Sequence, residues 1–472
     1  MTSIITGRRL ARDLGEWRTD APAYRALADR IRLLLLDGRL ATGTRIPAER
    51  DLSGALDLSR TTVAAAYAKL RDDGYLVSVR GSGSTLALPG GRRGEHEPAG
   101  RLPLDFTKAT APAFPGLAAA FARAADQITG YLGHDGFDMV GLPDLREAIA
   151  GHYRDRGVPT DPDQVMVTIG AQHALSLVTR TLHSTGERIL VEQPTYPHAL
   201  DTFAAAGARL VALPVQQHTG WDLAQARLQF RRAAPSMAFL MPDFHNPTGL
   251  SMPVADREEI VAVAQREGTV LVADETTALL DIDRGPMPPL CAFSPNSANI
   301  VTLGSLGKIA WGGLRIGWIR APQALLGQIL RNRPAGDLGT PLFEQLVATI
   351  LLADLPAMTA NRAAGLRRGR DFLVGRLAET LPDWDVVVPD GGLTLWVNTQ
   401  DASSSALALA ARPRGLGLVP GPRFGLDGAF ERFLRLPFFY PQDQLAEAVA
   451  ILAELRDHVG GTPLRVPLQA VI

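Results

Sequence analysis

Lysine is almost absent from this chain: of its 48 Lys+Arg residues, only Lys69, Lys108 and Lys308 are lysines. Surface positive charge falls to arginine nearly everywhere, so a retained lysine points to a need for an amine. A guanidinium stays protonated at any relevant pH, whereas a partly desolvated ammonium can lose its proton and attack a carbonyl carbon to form a Schiff base. Lys308 lies in VTLGSLGKIAWGGLRIGWI, residues 301–319. Ser305 places a hydroxyl one helical turn before it, and Arg315 follows a Gly312-Gly313 turn that lets the backbone approach a ligand closely. Together Ser305 and Arg315 would suit a dianionic phosphate.

Ser-x-x-Lys followed by Gly-Leu-Arg-x-Gly resembles the pyridoxal phosphate (PLP) attachment segment of fold-type I aminotransferases. The resemblance implies that the lysine carries the cofactor as a Schiff base while the serine and arginine hold its phosphate. The ordinary alternative is a Gly-rich loop with an incidental surface lysine. Upstream, Gly170-Ala171-Gln172 follows the apolar run QVMVTI and opens a helical stretch. Such a helix start is an anion site, so Ala171 and Gln172 are suited to a phosphate. Tyr196, in EQPTYPHAL, could stack on a pyridine ring, and Asn246, in PDFHNPTG, could donate to its phenolate oxygen. Asp274 closes the run TVLVAD, where a carboxylate can pair with the ring nitrogen and keep it protonated.

Each of these has an unremarkable alternative. Asn-Pro-Thr-Gly is a turn in its own right, Asp274 could cap a helix, Tyr196 could be core, and His245 could touch a ligand or be structural. Taken jointly and in this order, they resemble the aminotransferase class I/II domain over residues 105–455. The resemblance implies two further roles. Tyr131 would reach the phosphate of the partner subunit's cofactor, and Arg435, in RFLRLPFF, would bind a substrate's α-carboxylate through a bidentate pair. Two positions depart from the family. Thr277 stands where a tyrosine to the ring oxygen is common, and Gly307 where a serine often precedes the lysine. Thr277 is too short to replace a phenol, which puts turnover in question but not cofactor binding.

These residues need a scaffold that brings strand ends together. From residue 105 onward, apolar runs alternate with helical stretches: QVMVTIG, RILVEQP, ARLVALPV, MAFLMPD, TVLVADE, NIVTLGS and GWIRAP. Continuous apolar runs indicate strands buried on both faces, hence a mostly parallel α/β sheet with ligands at its carboxyl ends. A long helix, a strand around LTLWVN and a final helix from Gln442 suggest a smaller α+β lobe. The body is therefore expected over residues 105–460, as a fold-type I domain. Cys291 is the single cysteine, which excludes an intrachain disulfide and argues against a cysteine metal site. No metal site is expected. No long apolar run or signal core is present, and a cytoplasmic protein is expected.

The N-terminal part differs in character. Up to Arg93 it carries 16 Lys+Arg against 10 Asp+Glu, a charge of +6, leaving 32 against 39, or −7, for the rest. A basic head on an acidic body suggests a polyanionic partner. Tyr24, Leu27, Ile31, Leu34 and Leu35 recur at helical spacing, and Leu52, Ala55 and Leu56 give a short helix after Pro47 its apolar face. Ser59 caps a second helix carrying Val63, Tyr67 and Leu70, and YLVSVRGSGSTLAL reads as a hairpin. The segment 13–88, with GRLATGTRIPAERDL, LSRTTV and Gly81-Ser82-Gly83, resembles the winged helix-turn-helix of the GntR family. Ser59, Arg60, Thr61 and Thr62 would open the helix that enters the major groove of double-stranded DNA. Arg50, Arg80, Gly81 and Gly83 would contact backbone or minor groove. Residues 89–104, rich in Gly, Pro and charge, read as a flexible linker.

A GntR-like head on an aminotransferase-like body resembles the MocR-type regulators, including their YczR-like branch. That resemblance implies a head-to-tail homodimer, each head over the partner's body, in which PLP or an amino-group effector changes how the heads meet DNA. The leading expectation is a PLP-dependent DNA-binding regulator. The alternatives are an active aminotransferase with an accessory head, and a DNA-binding protein whose body only dimerises.

Overall fold

Leu10 and Leu14 on α1 (Gly7–Leu14), Leu27, Ile31 and Leu34 on α2 (Ala23–Leu36), Leu52 on α3 (Glu49–Leu56), and Val63, Tyr67 and Leu70 on α4 (Arg60–Asp72) close over one core. This computed structural model describes residues 4–15, 17–18, 21–36, 39–40, 43–79, 83–87, 102–294 and 299–459. The spacing on each helix puts its apolar residues on one stripe, which is what buries them. Tyr24, grouped with that stripe in the sequence, is instead 39% exposed. The turn between α3 and α4 passes through Asp57 at φ 52, and Ser59 caps α4 by accepting from Thr62 N at 3.0 Å. Strands β1 (Leu76–Val79) and β2 (Gly83–Leu86) pair antiparallel as the wing. The head begins earlier than residue 13, because Ile5, Leu10 and Leu14 belong to its core.

In the body, β3 (Leu104–Asp105) is followed by the strands of one large sheet. These are β4 (Val165–Thr168), β5 (Arg188–Gln193), β6 (Arg209–Gln216), β7 (Gly220–Trp221), β8 (Met237–Leu240), β9 (Val270–Asp274), β10 (Ile300–Ser305) and β11 (Gly317–Arg320). Their order is β4-β11-β10-β9-β8-β5-β6-β7. Strands β10, β9, β8, β5 and β6 run parallel, while β11 is antiparallel to both β10 and β4. Separate apolar cores cover the two faces. Alternate residues of β9 and β10 enter each: Leu271 and Ile300 one, Val272 and Val301 the other. Each fully buried aliphatic side chain contributes about 1.5–3 kcal/mol, which is why the strands read as unbroken apolar runs.

The smaller lobe is an antiparallel sheet of β12 (Asp385–Val386), β13 (Thr394–Asn398), β15 (Val419–Pro420) and β16 (Phe433–Pro437), in the order β12-β13-β16-β15. Between them, β14 (Leu416–Gly417) pairs in parallel with β3, matching Leu104 to Leu416. Leu104 is buried in the body's core, so the body starts before residue 105. Of the stretch expected as a linker, residues 89–101 lie outside the described residues. The head touches this chain's own small lobe. Arg30 Nη1 lies 3.8 Å from Glu431 Oε2, and Arg39 Nη2 donates to Pro422 O. Among the described residues, no single helix is long and apolar enough to cross a membrane.

Candidate functional site

Strands β4, β5, β8, β9 and β10 end on one edge of the large sheet, and the sequence candidates follow those ends. At one side, Gly170, with φ 90, turns the chain from β4 into the helix Ala171–Leu182, which has no side-chain cap. The first-turn N–H groups, Ala171 and Gln172 among them, therefore present an anion site. The Gln172 side chain donates instead to Thr202 Oγ1 at 2.8 Å, so its backbone is the group on offer. Arg315, at φ 54, donates through Nη2 to Ile169 O at 2.9 Å. A Cβ on Gly170 would lie 2.8 Å from that same Nη2, so glycine is required for the guanidinium to approach.

Ser305 is the last residue of β10, not part of a helical turn with Lys308. Its hydroxyl donates to Ile316 O at 3.0 Å and accepts from Gly307 N at 2.9 Å, tying the lysine turn together. A Cβ on Gly307 would sit 3.1 Å from that oxygen, a tight contact in this turn.

Asp274 closes β9 at 5% exposure and accepts from Thr276 N at 2.9 Å. Burial raises its carboxyl above the usual range, the nearby Glu192 charge adds to this, and Thr276 and Lys308 oppose it. Tyr196 is partly buried, with its phenol pushed up to about 12 by burial and the Asp274 charge, against Arg435. Asn246 sits in a turn closed by Gly249 N to His245 O at 2.6 Å, and its Oδ1 is buried with no hydrogen-bond partner among the described residues.

His245 is fully buried behind that turn rather than facing a ligand. Its Nδ1 is 2.8 Å from Thr248 Oγ1 and its Nε2 3.3 Å from Glu192 Oε2. Glu192, which the sequence did not mark, also accepts from Trp221 Nε1 at 2.7 Å and Met241 N at 2.8 Å. Thr277 is likewise structural, donating to Asp243 O at 2.7 Å. The Asp243 carboxylate is held by Arg257 Nη2 at 2.8 Å and Arg284 Nη1 at 2.5 Å, and these cations keep it ionised despite burial.

Lys308 is partly buried, and its amine is lowered to about 8 by burial and then by the Arg435 charge, with Asp274 opposing. It donates to Ala109 O at 2.5 Å. Arg435, on β16, donates through Nη2 to Thr107 O at 2.6 Å, while its Nε is buried without a partner. Burial lowers that guanidinium to about 10. Both cations thus meet carbonyls of one strap, residues 104–110, which Tyr440 Oη also holds through Asp105 O at 2.5 Å. Arg362 bonds Ile309 O at 2.7 Å and Pro112 O at 3.0 Å, linking the lysine turn to the chain just past the strap. These roles are carried by main-chain carbonyls, so the sequence carried no signal beyond the rare Lys108, which pairs with Asp105 at 2.8 Å.

Tyr131 ends the turn Ile128–Tyr131 and packs at the core's edge. The remaining groups fit pyridoxal phosphate. They provide an anion cradle at Ala171 and Arg315, the Asn246 amide in the turn at the strand end, a buried carboxylate at Asp274 and a readily deprotonated amine at Lys308.

In the head, Arg60 is the first residue of α4 and is exposed. The Ser59 hydroxyl lies 2.8 Å from Thr61 Oγ1 and 2.7 Å from Thr62 Oγ1, so these hydroxyls form one cluster at the helix start. Arg50, on α3, has its side chain 79% exposed. Gly83 has φ 85, and Arg45 lies against it, 2.6 Å from where a Cβ would be. Arg80 and Gly81 lie outside the described residues.

Residues 110–452 match the family Aminotransferase class I and II, and residues 23–86 match Bacterial regulatory proteins, gntR family. The chain is 32% identical over 435 residues to a probable rhizopine catabolism regulatory protein, MocR, of Rhizobium meliloti, covering 85% of this chain and 87% of that one. It is 26% identical over 470 residues to the uncharacterized HTH-type transcriptional regulator YisV of Bacillus subtilis, covering 90% and 95%. The solved structure of LysN, alpha-aminoadipate aminotransferase from Thermus thermophilus, complexed with N-(5'-phosphopyridoxyl)-L-leucine, superposes with a TM-score of 0.69 at 25% identity, over 76% of this chain and 96% of that one. Both halves match in a single chain, which therefore belongs to the aminotransferase class I and II family as a MocR-like regulator, a gntR-family head joined to an aminotransferase body.

Proposed function

We propose that the body of this regulator binds pyridoxal phosphate at Lys308 and senses either that cofactor or an amino-group ligand presented to it, and that occupancy changes how the head engages DNA. When bound, the cofactor supplies an electrophilic aldehyde carbon and an electron-withdrawing ring. Lys308 would hold the cofactor through its neutral amine, Asp274 would pair with the ring nitrogen, and Asn246 would donate to the ring oxygen through its amide nitrogen. Arg315 and the N–H groups of Ala171 and Gln172 hold the phosphate, with Tyr196 against the ring. Arg435 takes the carboxylate of an amino-acid ligand.

The observation that carries this reading is the strap. Lys308 and Arg435 both donate to carbonyls of residues 107–109, and that segment follows the stretch joining body to head. A ligand that claims these two cations must displace the strap from both, which gives occupancy a direct route to the head. A ligand shifts such an equilibrium only by its differential affinity for the two arrangements.

The working unit is a head-to-tail homodimer in the cytoplasm, with Tyr131 serving the partner's site, and double-stranded DNA is its macromolecular partner. The second reading, a turning-over aminotransferase, draws on the same retained groups. Against it, the Thr277 hydroxyl is engaged with Asp243 O rather than offered to the ring. Reconstitution with PLP should give the wild type a visible absorbance band that Lys308→Ala lacks, while Lys308→Ala keeps the cofactor-free DNA affinity. Identical spectra would contradict the assignment.

A further inference from the structure

Helix α1 lies outside the residues that match the gntR family, 23–86, yet it is built into the head. Its buried face is Gly7, Leu10 and Leu14. Gly7 is pressed onto the backbone of α3, so that a Cβ there would lie 2.8 Å from Asp51 O. The residues leading into α1 join the base of the wing: Ile5 N donates to Arg45 O at 3.0 Å, and Arg45 bridges Ile4 on one side and Thr85 of β2 on the other. The first turn of α1 is therefore wedged between the wing and the first turn of α3, the two elements that flank a recognition helix on duplex DNA.

The outward face of α1 carries Arg8, Arg9 and Arg12, all exposed. Arg8 and Arg12 have no ion-pair partner among the described residues, and Arg9 reaches only Asp13, at 3.8 Å with its own side chain 72% exposed. Two of these cations occupy the first turn of the helix, where the backbone dipole disfavours positive charge. Helix stability therefore does not account for Arg8 and Arg9, whereas Arg12 lies in the last turn, where the dipole favours it. The helix that carries these arginines packs on α3, which bears Arg50, and the residues leading into it pair with Arg45, so they add positive charge to the helix-turn-helix beyond its expected limit.

We propose that α1 is a second DNA-contacting element, in which Arg8, Arg9 and Arg12 bind phosphodiester oxygens flanking the bases met by α4. The contact is to backbone and carries no sequence preference of its own. This inference rests on the head binding DNA as proposed above.

The test compares the wild-type chain with Arg8→Gln/Arg9→Gln/Arg12→Gln and Arg8→Lys/Arg9→Lys/Arg12→Lys, in the full-length protein loaded with PLP. Affinity for a duplex from upstream of the protein's own gene, and for a scrambled duplex of equal length, is measured across a KCl series. The glutamine variant should lose roughly 2–3 from the slope of log K against log salt on both duplexes alike, about 0.9 for each phosphate contact removed. The ratio of the two affinities should not change, and the lysine variant should restore the slope. A glutamine-variant slope equal to wild type would overturn the proposal while leaving DNA binding by α4 intact. So would a loss that lysine fails to restore, or one explained by a changed oligomeric mass in light scattering, which would make α1 a protein-contact surface. Absence of salt-dependent binding by the wild type would instead remove the DNA-binding reading itself.

Discussion

The chemistry rests on how one amine is tuned. Lys308 is lowered to about 8 from an ordinary 10.5, chiefly by burial and then by Arg435. Its reactive neutral form is thus lost as pH falls below about 8 and complete above it. The rate of PLP capture followed by stopped-flow absorbance should rise with pH and level off with a midpoint near 8; a midpoint near 10.5 would show an untuned surface lysine. Thr277 makes the opposite point. Because its hydroxyl serves Asp243 O, Thr277→Val should cost about 1 kcal/mol of stability in denaturant unfolding, with PLP affinity unchanged. A selective loss of PLP affinity would place Thr277 in the cofactor contact instead. Residue types and order marked Lys308, Arg315, Asp274 and Asn246 as candidates, because each proposed role demands one kind of group, while Arg435 was suggested by the family resemblance alone. The engagement of the Ser305 hydroxyl with Ile316 O is set by how β10 and β11 pair, and the burial of His245 against Glu192 by segments distant in sequence, so neither left a local trace.

At the level of elements, strands such as VMVT and IVTLGS were legible because burial on both faces leaves unbroken apolar runs. Amphipathic stripes likewise marked α2 and α4. Two elements were not legible. The strap has only a two-residue strand, too short for any period, and α1 shows its three arginines more plainly than its buried Leu10 and Leu14. The strap also makes a testable element. If it competes with ligand for Lys308 and Arg435, weakening its other tether should favour the ligand-accepting arrangement. Tyr440→Phe removes the bond to Asp105 O, and the PLP concentration giving half-maximal absorbance should fall by roughly 2- to 10-fold, the worth of one such hydrogen bond. Unchanged or weaker PLP binding would mean the strap supports the site rather than competes for it.

For the whole molecule, the charge asymmetry read from the sequence, +6 for the head against −7 for the rest, fits a cationic head facing DNA. The same head meets its own body through Arg30 and Glu431 and through Arg39 and Pro422. That contact is made by Arg30 and Arg39 and not by the exposed start of α4, so a shift in the body can change head orientation without altering the groups proposed to touch DNA. The domain order and the identity of both halves were legible because each carries its own motif set. The seating of head on body was not, since it depends on segments hundreds of residues apart, among them Arg39 with Pro422 O, the long Arg30–Glu431 pair, and α2 against the helix Ser404–Ala411. The most direct test of cofactor-coupled regulation is fluorescence anisotropy of duplex DNA from upstream of the protein's own gene. Wild type and Lys308→Ala are titrated with and without PLP at fixed salt. Specific affinity that changes with PLP in the wild type and not in Lys308→Ala is the expected result. Wild-type affinity that is indifferent to PLP, in protein whose absorbance confirms the cofactor is bound, would contradict the account.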